Sequence, residues 1–354
     1  MKKLFVINMG STSTKVAYFE DDICKMKETI THDAEKVRSF PTIWDQLEFR
    51  TQIVLDAMER AGVSPAELDA MVTRGCCMAP VTGGVYRVTE KMADMARSGK
   101  YGNHVADLGT LIVLDLQKKY GFETLTVDTA CTDEFEPVAR YTGLKELQRV
   151  SHVHALNQKA AARKYAESLG RRYEDMNFVV IHMGGGSSIA AHRHGRIIDA
   201  PNTLDGEGPF STDRANTLPV GDLIDMCYSG RYTHQEMRKK INGLGGLMSY
   251  IGETDVRRVV EEIERGNEEY KNVLDAMCYQ TAKEIGAMAT VLKGDVDAII
   301  FTGGMVNSDY VIDEISQYIS YIAPVVLMPG EFEMESLGIN SYKALMGQVE
   351  IKEI

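Results

Sequence analysis

Residues 6–17 read VINMGSTSTKVA and residues 180–191 read VIHMGGGSSIAA. The stretches lie 174 positions apart (180 − 6) in a chain of 354 residues and align without a gap. Six of the twelve positions agree: Val6/Val180, Ile7/Ile181, Met9/Met183, Gly10/Gly184, Ser13/Ser187 and Ala17/Ala191. Each copy is an apolar run, a Gly/Ser/Thr turn and a second run, from Lys15 to Glu20 or from Ile189 to Arg193. That is the pattern of a β-hairpin. Chance can make two hairpins alike, but shared length, spacing and sequence at nearly half the chain favour duplication. Two copies predict two lobes and not a solenoid, in line with about 150 residues per domain. No Pro-rich, Gln-rich or Gly/Ser linker separates the halves, so the boundary is tight.

The remaining chain alternates helices and strands. Helical spacing runs from Ile53 to Ala61, from Ala155 to Leu169, and through Tyr270, Leu274, Cys278, Thr281, Ile285, Met288 and Leu292. Short apolar runs end at turns: Leu125–Val127 before Asp128, Ala298–Phe301 before Gly303-Gly304, and Val325–Met328 before Gly330. Open α/β sheets bind ligands at such strand ends, and a hairpin opening each half argues for mixed sheets.

Charge narrows the partners. With 39 Lys and Arg against 51 Asp and Glu, the net charge is −12, which disfavours nucleic acid, whose binding rests on phosphate contacts. An anionic substrate then requires locally concentrated positive charge, so arginines among glycines merit inspection. No apolar run reaches the ~18 residues of a membrane span, and the opening run turns polar at Asn8, too early for a signal-peptide core. The six cysteines lack CxxC spacing and read as reduced thiols of a cytoplasmic protein.

Asn8–Lys15 combines a glycine with hydroxyls and amides able to donate to phosphate, although it lacks P-loop spacing. The alternative is an ordinary hairpin turn. His182-Met183-Gly184-Gly185-Gly186 is the stronger signal, because consecutive glycines weaken a strand end unless backbone must approach a ligand. Two such hairpins suit a nucleotide polyphosphate, and Gly303-Gly304 offers a third approach for the nucleoside end. Asp128, at a strand end, suits Mg²⁺ or equally a helix cap. Glu331, Glu333 and Glu335 are either a second acidic contact or surface charge at a helix start. Arg74, before Gly75, and Arg214, after a Gly/Pro-containing loop, offer paired donors for carboxylate or phosphate. In Ser151-His152-Val153-His154, alternation puts both histidines on one face, and a single neutral His152 can donate to a transferring phosphoryl group. His192 and His194 read as exposed strand residues, and Cys76-Cys77 lacks the neighbours of a thiol nucleophile.

With these residues in view, the chain resembles the acetate/butyrate kinase family. The most specific blocks are NMGSTSTK (8–15), VTRG (72–75), GNHVADLGTLI (102–112), VDTA (127–130), VSHVHALNQKAAARKYA (150–166), HMGGGSSIAAH (182–192), NTLDGEGPFSTDR (202–214), LPVGDL (218–223), FTGG (301–304) and PGEFEME (329–335). The resemblance implies an α/β, duplicated, actin-like or sugar-kinase-like ATPase fold with ribonuclease H-like mixed sheets and a nucleotide cleft between two lobes. It assigns residues 1–150 plus 331–354 to the first lobe and 151–330 to the second.

The resemblance also implies site roles. Asn8, Ser11, Ser13 and Lys15 face phosphate on the first hairpin; His182, Gly184, Gly185 and Gly186 form the second phosphate loop; Gly303 and Gly304 lie by adenosine. Arg74 and Arg214 bind the carboxylate and neutralise the phosphoryl group. Asp128 organises Mg²⁺, His152 donates in the transition state, and Glu333 is the metal-associated glutamate, with Glu331 and Glu335 as rivals. Met9 departs from the proline or small residue common there. STSTK and GEGPFS favour the butyrate-type branch, but neither reports pocket volume. The implied reaction is reversible phosphorylation of a short carboxylate, butyrate or isobutyrate, by ATP, giving acyl phosphate and ADP. Homo-oligomeric assembly and no nucleic-acid or membrane partner go with it. Acetate or propionate as substrate, a hydroxyl-directed kinase, and a non-catalytic nucleotide-binding protein stay open as alternatives.

Overall fold

The computed structural model describes residues 1–354. It divides into two compact units, Met1–Thr132 with Phe332–Ile354, and Asp133–Glu331.

The first unit is built on a seven-stranded mixed sheet. Its strands are β1 (Lys3–Met9), β2 (Ser13–Glu20), β3 (Ile23–Thr31), β4 (Ala70–Thr73), β5 (Val85–Arg87), β6 (Glu123–Val127) and β12 (Ile351–Lys352), in the order β12-β5-β6-β4-β1-β2-β3. β1 and β4 are fully buried apart from Lys3, as expected of strands covered on both faces. Phe5, Ile7 and Met71 pack with Val54 and Met58 of the helix Leu47–Arg60 and with Leu111 and Ile112 of the helix Asp107–Tyr120. The helix Glu333–Leu345 returns the chain to this unit.

The second unit carries β7 (Asn177–Met183), β8 (Ser187–Arg193), β9 (Arg196–Asp199), β10 (Ala298–Gly303) and β11 (Val325–Pro329), in the order β11-β10-β7-β8-β9. The long helix Glu268–Val291 buries Leu274, Cys278, Ile285 and Met288 against Val179, Ile181 and Phe301 of this sheet.

Both sheets thus begin with an antiparallel hairpin whose first strand pairs in parallel on its other side: β1 with β4, and β7 with β10. The hairpins differ in register. Met9 pairs with Thr14, leaving four residues in the turn, whereas Met183 pairs with Ser187 across the three glycines alone. The ungapped sequence match therefore hides a one-residue shift, because the all-glycine turn closes more tightly.

The sequence reading ended the first lobe at residue 150, and the units change over at Thr132/Asp133. The intervening segment packs on the second sheet. Phe135 and Ala139 cluster with Ala190, Ile197 and Ala200, and Arg149 pairs with Asp199 at 2.9 Å.

His192, expected to be exposed, is fully buried, with the Tyr173 hydroxyl 2.7 Å from Nδ1 and Gln158 Oε1 3.0 Å from Nε2. β8 lies between β7 and β9, and both its faces are covered. His194 is exposed in the following turn. No helix is long and apolar enough to cross a membrane, and the six cysteines are unpaired.

Candidate active site

In the first unit, the turn between β1 and β2 is held from beneath by Arg50. This arginine is fully buried. Its Nη1 donates to the carbonyls of Gly10 (2.9 Å) and Ser13 (3.1 Å), Nη2 to Ser11 O (3.1 Å), and Nε to Gln46 Oε1 (3.0 Å). Burial lowers its pKa to about 10, so it stays cationic at neutral pH. In a trans peptide the C=O and the next N–H point oppositely. Drawing the carbonyls of Gly10 and Ser11 toward Arg50 therefore turns the N–H groups of Ser11 and Thr12 to the outer, exposed side, the arrangement of an anion nest.

Glu333 ties Asn8 to Arg74. Its carboxylate is buried, accepts from Asn8 Nδ2 at 2.7 Å and pairs with Arg74 Nη2 at 3.4 Å. Glu335 instead faces Lys27 at 2.8 Å, and Glu331 is exposed. Glu333 thus joins two of the other candidate residues.

Asp128 follows β6 with φ +41°, a left-handed conformation that Asp adopts more readily than most side chains. It is fully buried, its Oδ1 accepts from Gly84 N at 2.8 Å, and its own N–H donates to Gly84 O at 2.9 Å. Gly75, beside Arg74, is required as glycine: φ is +93° and a Cβ there would stand 2.8 Å from Thr126 Oγ1.

Asp107 staples the loop after β4 to the loop before its own helix, accepting from Cys77 N (2.7 Å) and His104 N (2.8 Å). His104 Nδ1 in turn accepts from Ala106 N at 3.1 Å. Burial, then the nearby Arg74 charge, lowers the His104 pKa, so the ring is neutral and carries its proton on Nε2. Burial pushes the Cys76 and Cys77 thiols up to about 12, which removes both as nucleophiles.

In the second unit, the glycine turn is flanked by an arginine and two histidines. A Cβ on Gly186 would lie 2.8 Å from Arg214 Nη2, so the guanidinium rests against this turn. Arg214 makes one long bond, Nη1 to Thr203 O at 3.4 Å, and its buried Nε has no partner. Burial lowers its pKa, opposed by Asp213. His182 is buried, with Nδ1 2.8 Å from Asn157 Nδ2 and its ring stacked at 4.1 Å on His154. His152 is exposed, whereas His154 reaches the second loop. The residues around them do not form a regular strand, so alternation does not bring the two histidines to one place.

Gly303 (φ +100°) lets β10 approach β7, since a Cβ there would fall 2.3 Å from Met183 O. Its neighbour Gly304 lines a cavity of about 1000 Å³ with Gly184, Gly185, Thr212, Met305 and Tyr310. That volume takes a nucleoside.

Gly186→Ala tests the contact with Arg214. The displaced group is the far end of a flexible side chain, so the variant is expected to fold with unchanged circular dichroism. Its turnover should fall at least tenfold, measured by steady-state kinetics.

Residues 138–323 match the model of the acetokinase family. Over 353 residues the chain is 42% identical to butyrate kinase 1 of Clostridium acetobutylicum, covering 100% of this chain and 99% of that protein. The chain belongs to the acetokinase family. Among solved structures, Porphyromonas gingivalis acetate kinase is similar at TM-score 0.77 and 18% identity, covering 98% of this chain and 100% of that one. A Francisella tularensis propionate kinase is similar at TM-score 0.73 and 15% identity, covering 96% and 99%. At those identities the likeness concerns the fold, and it is the duplicated sugar-kinase-like α/β fold that the resemblance implied.

For an acetokinase-family chain, the structure adds Arg50, His104 and Asp107 to the residues singled out from sequence, and brings His154 forward from the pair it formed there with His152. GNHVADLGTLI held a signal for His104 and Asp107, and HVHALNQ held one for His154. Arg50 had none.

Proposed function

We propose that this acetokinase-family chain reversibly transfers the γ-phosphoryl group of ATP to a four-carbon carboxylate, butyrate or isobutyrate, giving acyl phosphate and ADP. The observation that carries the reading is the second unit's glycine turn, with Arg214 against Gly186 and a nucleoside-sized cavity beginning at Gly184 and Gly185. The 42% identity to butyrate kinase 1 supports the acid chosen. The six unpaired cysteines support a reducing, cytoplasmic setting.

The carboxylate nucleophile is already ionised at neutral pH, so no general base is needed. A hydroxyl-directed kinase would need one; Asp128 is the one candidate, and its Oδ1 already accepts the Gly84 amide at 2.8 Å. Catalysis then consists of positioning and charge neutralisation. In the first unit, the N–H groups of Ser11 and Thr12 and the hydroxyls of Ser11 and Ser13, with Lys15, receive phosphate oxygens, and Arg74, held by Glu333, orients the carboxylate. In the second, His182 and Gly184–Gly186 hold the nucleotide phosphates, Gly304 lines the adenosine cavity, and Arg214 meets the transferring phosphoryl group. We assign the histidine donor to His154 in place of His152.

Mg²⁺ fits the donor set. It takes oxygen ligands, keeps several waters and relies on one or two carboxylates plus substrate phosphates. Asp128 supplies a buried carboxylate beside the buried, unpartnered Thr129 Oγ1, with Glu333 as the second acid in the same unit. No group of three or more acidic, His or Cys residues forms a cage, so substrate phosphates and water would complete the shell. When bound, the cation neutralises charge on the phosphate oxygens.

Chain-length selectivity rests on about 1–3 kcal/mol per methylene, so neighbouring acids overlap as substrates. The test incubates protein, ATP and Mg²⁺ with C2–C5 carboxylates and hydroxylamine, and reads acyl hydroxamate. The expected order puts butyrate and isobutyrate above acetate. Phosphorylation of an alcohol with no hydroxamate from any acid would overturn the reading.

A further inference from the structure

Five polar side chains of the second unit, Tyr173, His192, Gln158, Ser188 and Asn157, are almost completely buried, each at 2% exposure or less. Buried polar groups need partners of the right sense, and here the senses follow from one another. The amide of Gln158 is oriented by Ser188 O, a pure acceptor, which receives Nε2 at 3.1 Å. Reversing that amide would set two acceptors against each other. Gln158 Oε1 therefore faces His192 Nε2 at 3.0 Å and requires a proton there. A neutral His192 then accepts the Tyr173 hydroxyl on Nδ1 at 2.7 Å.

The other side of Gln158 fixes the serine. Ser188 Oγ accepts from Gln158 Nε2 at 2.9 Å and from the backbone N–H of His154 at 3.3 Å. A hydroxyl has two lone pairs and one proton. Both lone pairs are taken, so the proton goes to His154 Nδ1, 2.8 Å away. His154 thus accepts on Nδ1 and, as a neutral ring, carries its proton on Nε2.

His182 reaches the same state by a separate route. Thr302 Oγ1 donates to Gly330 O at 3.1 Å, so it accepts from Asn157 Nδ2 at 3.1 Å. The same nitrogen lies 2.8 Å from His182 Nδ1, which must accept. The His182 Nε2 is the atom beside the glycine turn, 3.3 Å from where a Cβ of Gly184 would stand. Two imidazoles stacked at 4.1 Å also disfavour a double positive charge.

We propose that Gln158, Ser188 and Asn157 are positioning residues that set His154 and His182 as a stacked pair of neutral Nε2–H donors at the second phosphate loop. The role given to the pair rests on the phosphoryl-transfer reading above; the tautomers do not. The hydrogen bond at one ring nitrogen decides which proton the other presents. A neutral N–H pair contributes donors without fixing another full charge beside Arg214.

The experiment is a long-range ¹H–¹⁵N correlation spectrum of the full chain labelled with ¹⁵N-histidine at neutral pH, with His154 and His182 assigned by His154→Gln and His182→Gln. Both residues should show the Nε2–H pattern. An Nδ1–H or doubly protonated pattern at His154 would overturn the proposal whatever the enzyme's substrate. Ser188→Ala should give a mixed tautomer pattern at His154 and leave His182 unchanged. Its kcat for hydroxamate formation should fall about ten- to hundredfold, the range for loss of a histidine-orienting partner, with KM for ATP retained. Ser188→Thr, which keeps the hydroxyl, should restore both. Loss of kcat with an unaltered His154 spectrum would assign Ser188 a packing role only. Absence of hydroxamate in the unsubstituted protein, with both rings still Nε2–H, would count against the substrate reading alone.

Discussion

Arg214→Ala is expected to lower turnover by about 10²–10³-fold, the scale for removing one transition-state donor, with little change in KM for ATP. The expectation rests on how few partners this cation has. No carboxylate stands within ion-pairing distance, its one backbone bond is long at 3.4 Å, and its Nε is buried without a partner. Its first cost is burial, which pulls its pKa down against the pull of Asp213. A guanidinium nonetheless stays protonated in proteins. A half-buried charge left so poorly paired is stabilised when an anion arrives, and most when that anion gains charge. Its removal is therefore felt in kcat more than in ground-state binding. Arg214→Lys keeps the charge but loses the planar fork, and its turnover should fall between that of the two. Steady-state kinetics in both directions check the result. A kcat near that of the unsubstituted protein would remove Arg214 from the reaction, and a raised KM for ATP at constant kcat would make it a nucleotide anchor only.

How far the sequence carried the fold is clearest in the two hairpins. Their strands, glycine turns and place at the head of each sheet were legible, because alternation and turn chemistry are local. Their register was not. Ser13 and Ser187 align in sequence, yet Met9 pairs with Thr14 while Met183 pairs with Ser187. Turn closure decides register, and three consecutive glycines admit a shorter turn than Gly-Ser-Thr-Ser. His192 failed in reading for a different reason. An imidazole every second residue looks solvated until Tyr173 and, from the helix Ala155–Ser168, Gln158 pack on that face of β8. Arg50 was illegible in principle. Within LEFRTQIVLDAMER it reads as one more charge on an amphipathic helix, and its partners are backbone carbonyls some 40 residues earlier. Carbonyls leave no mark in a sequence. Glu333 lay between these cases: the acidic run was visible, but its contacts with Asn8 and Arg74 were not.

Arg50→Met should give the largest loss of stability of any substitution in the first unit's phosphate hairpin. Methionine fits the side chain's track through the core but withdraws the donors that hold Gly10 O, Ser11 O and Ser13 O. A buried acceptor left unpaired costs about 1–3 kcal/mol. Ser11 is exposed and its carbonyl can turn to water, whereas Ser13 O keeps the Gly10 amide at 2.8 Å. The remaining loss, at Gly10 O, is about 1–3 kcal/mol, which for a unit of this size lowers its melting transition by roughly 2–12 °C. Function should fail with it. Once the carbonyls are released, the Ser11 and Thr12 amides no longer share one outward face, and KM for ATP should rise even well below the melting temperature. Arg50→Lys separates the two effects: it keeps a cation under the turn but cannot reach all three carbonyls, so stability should recover in part and KM for ATP less. Scanning calorimetry and initial-rate kinetics on the two variants supply the comparison. A melting transition unmoved in Arg50→Met would mean that the turn holds its own shape and that the buried guanidinium is packing alone.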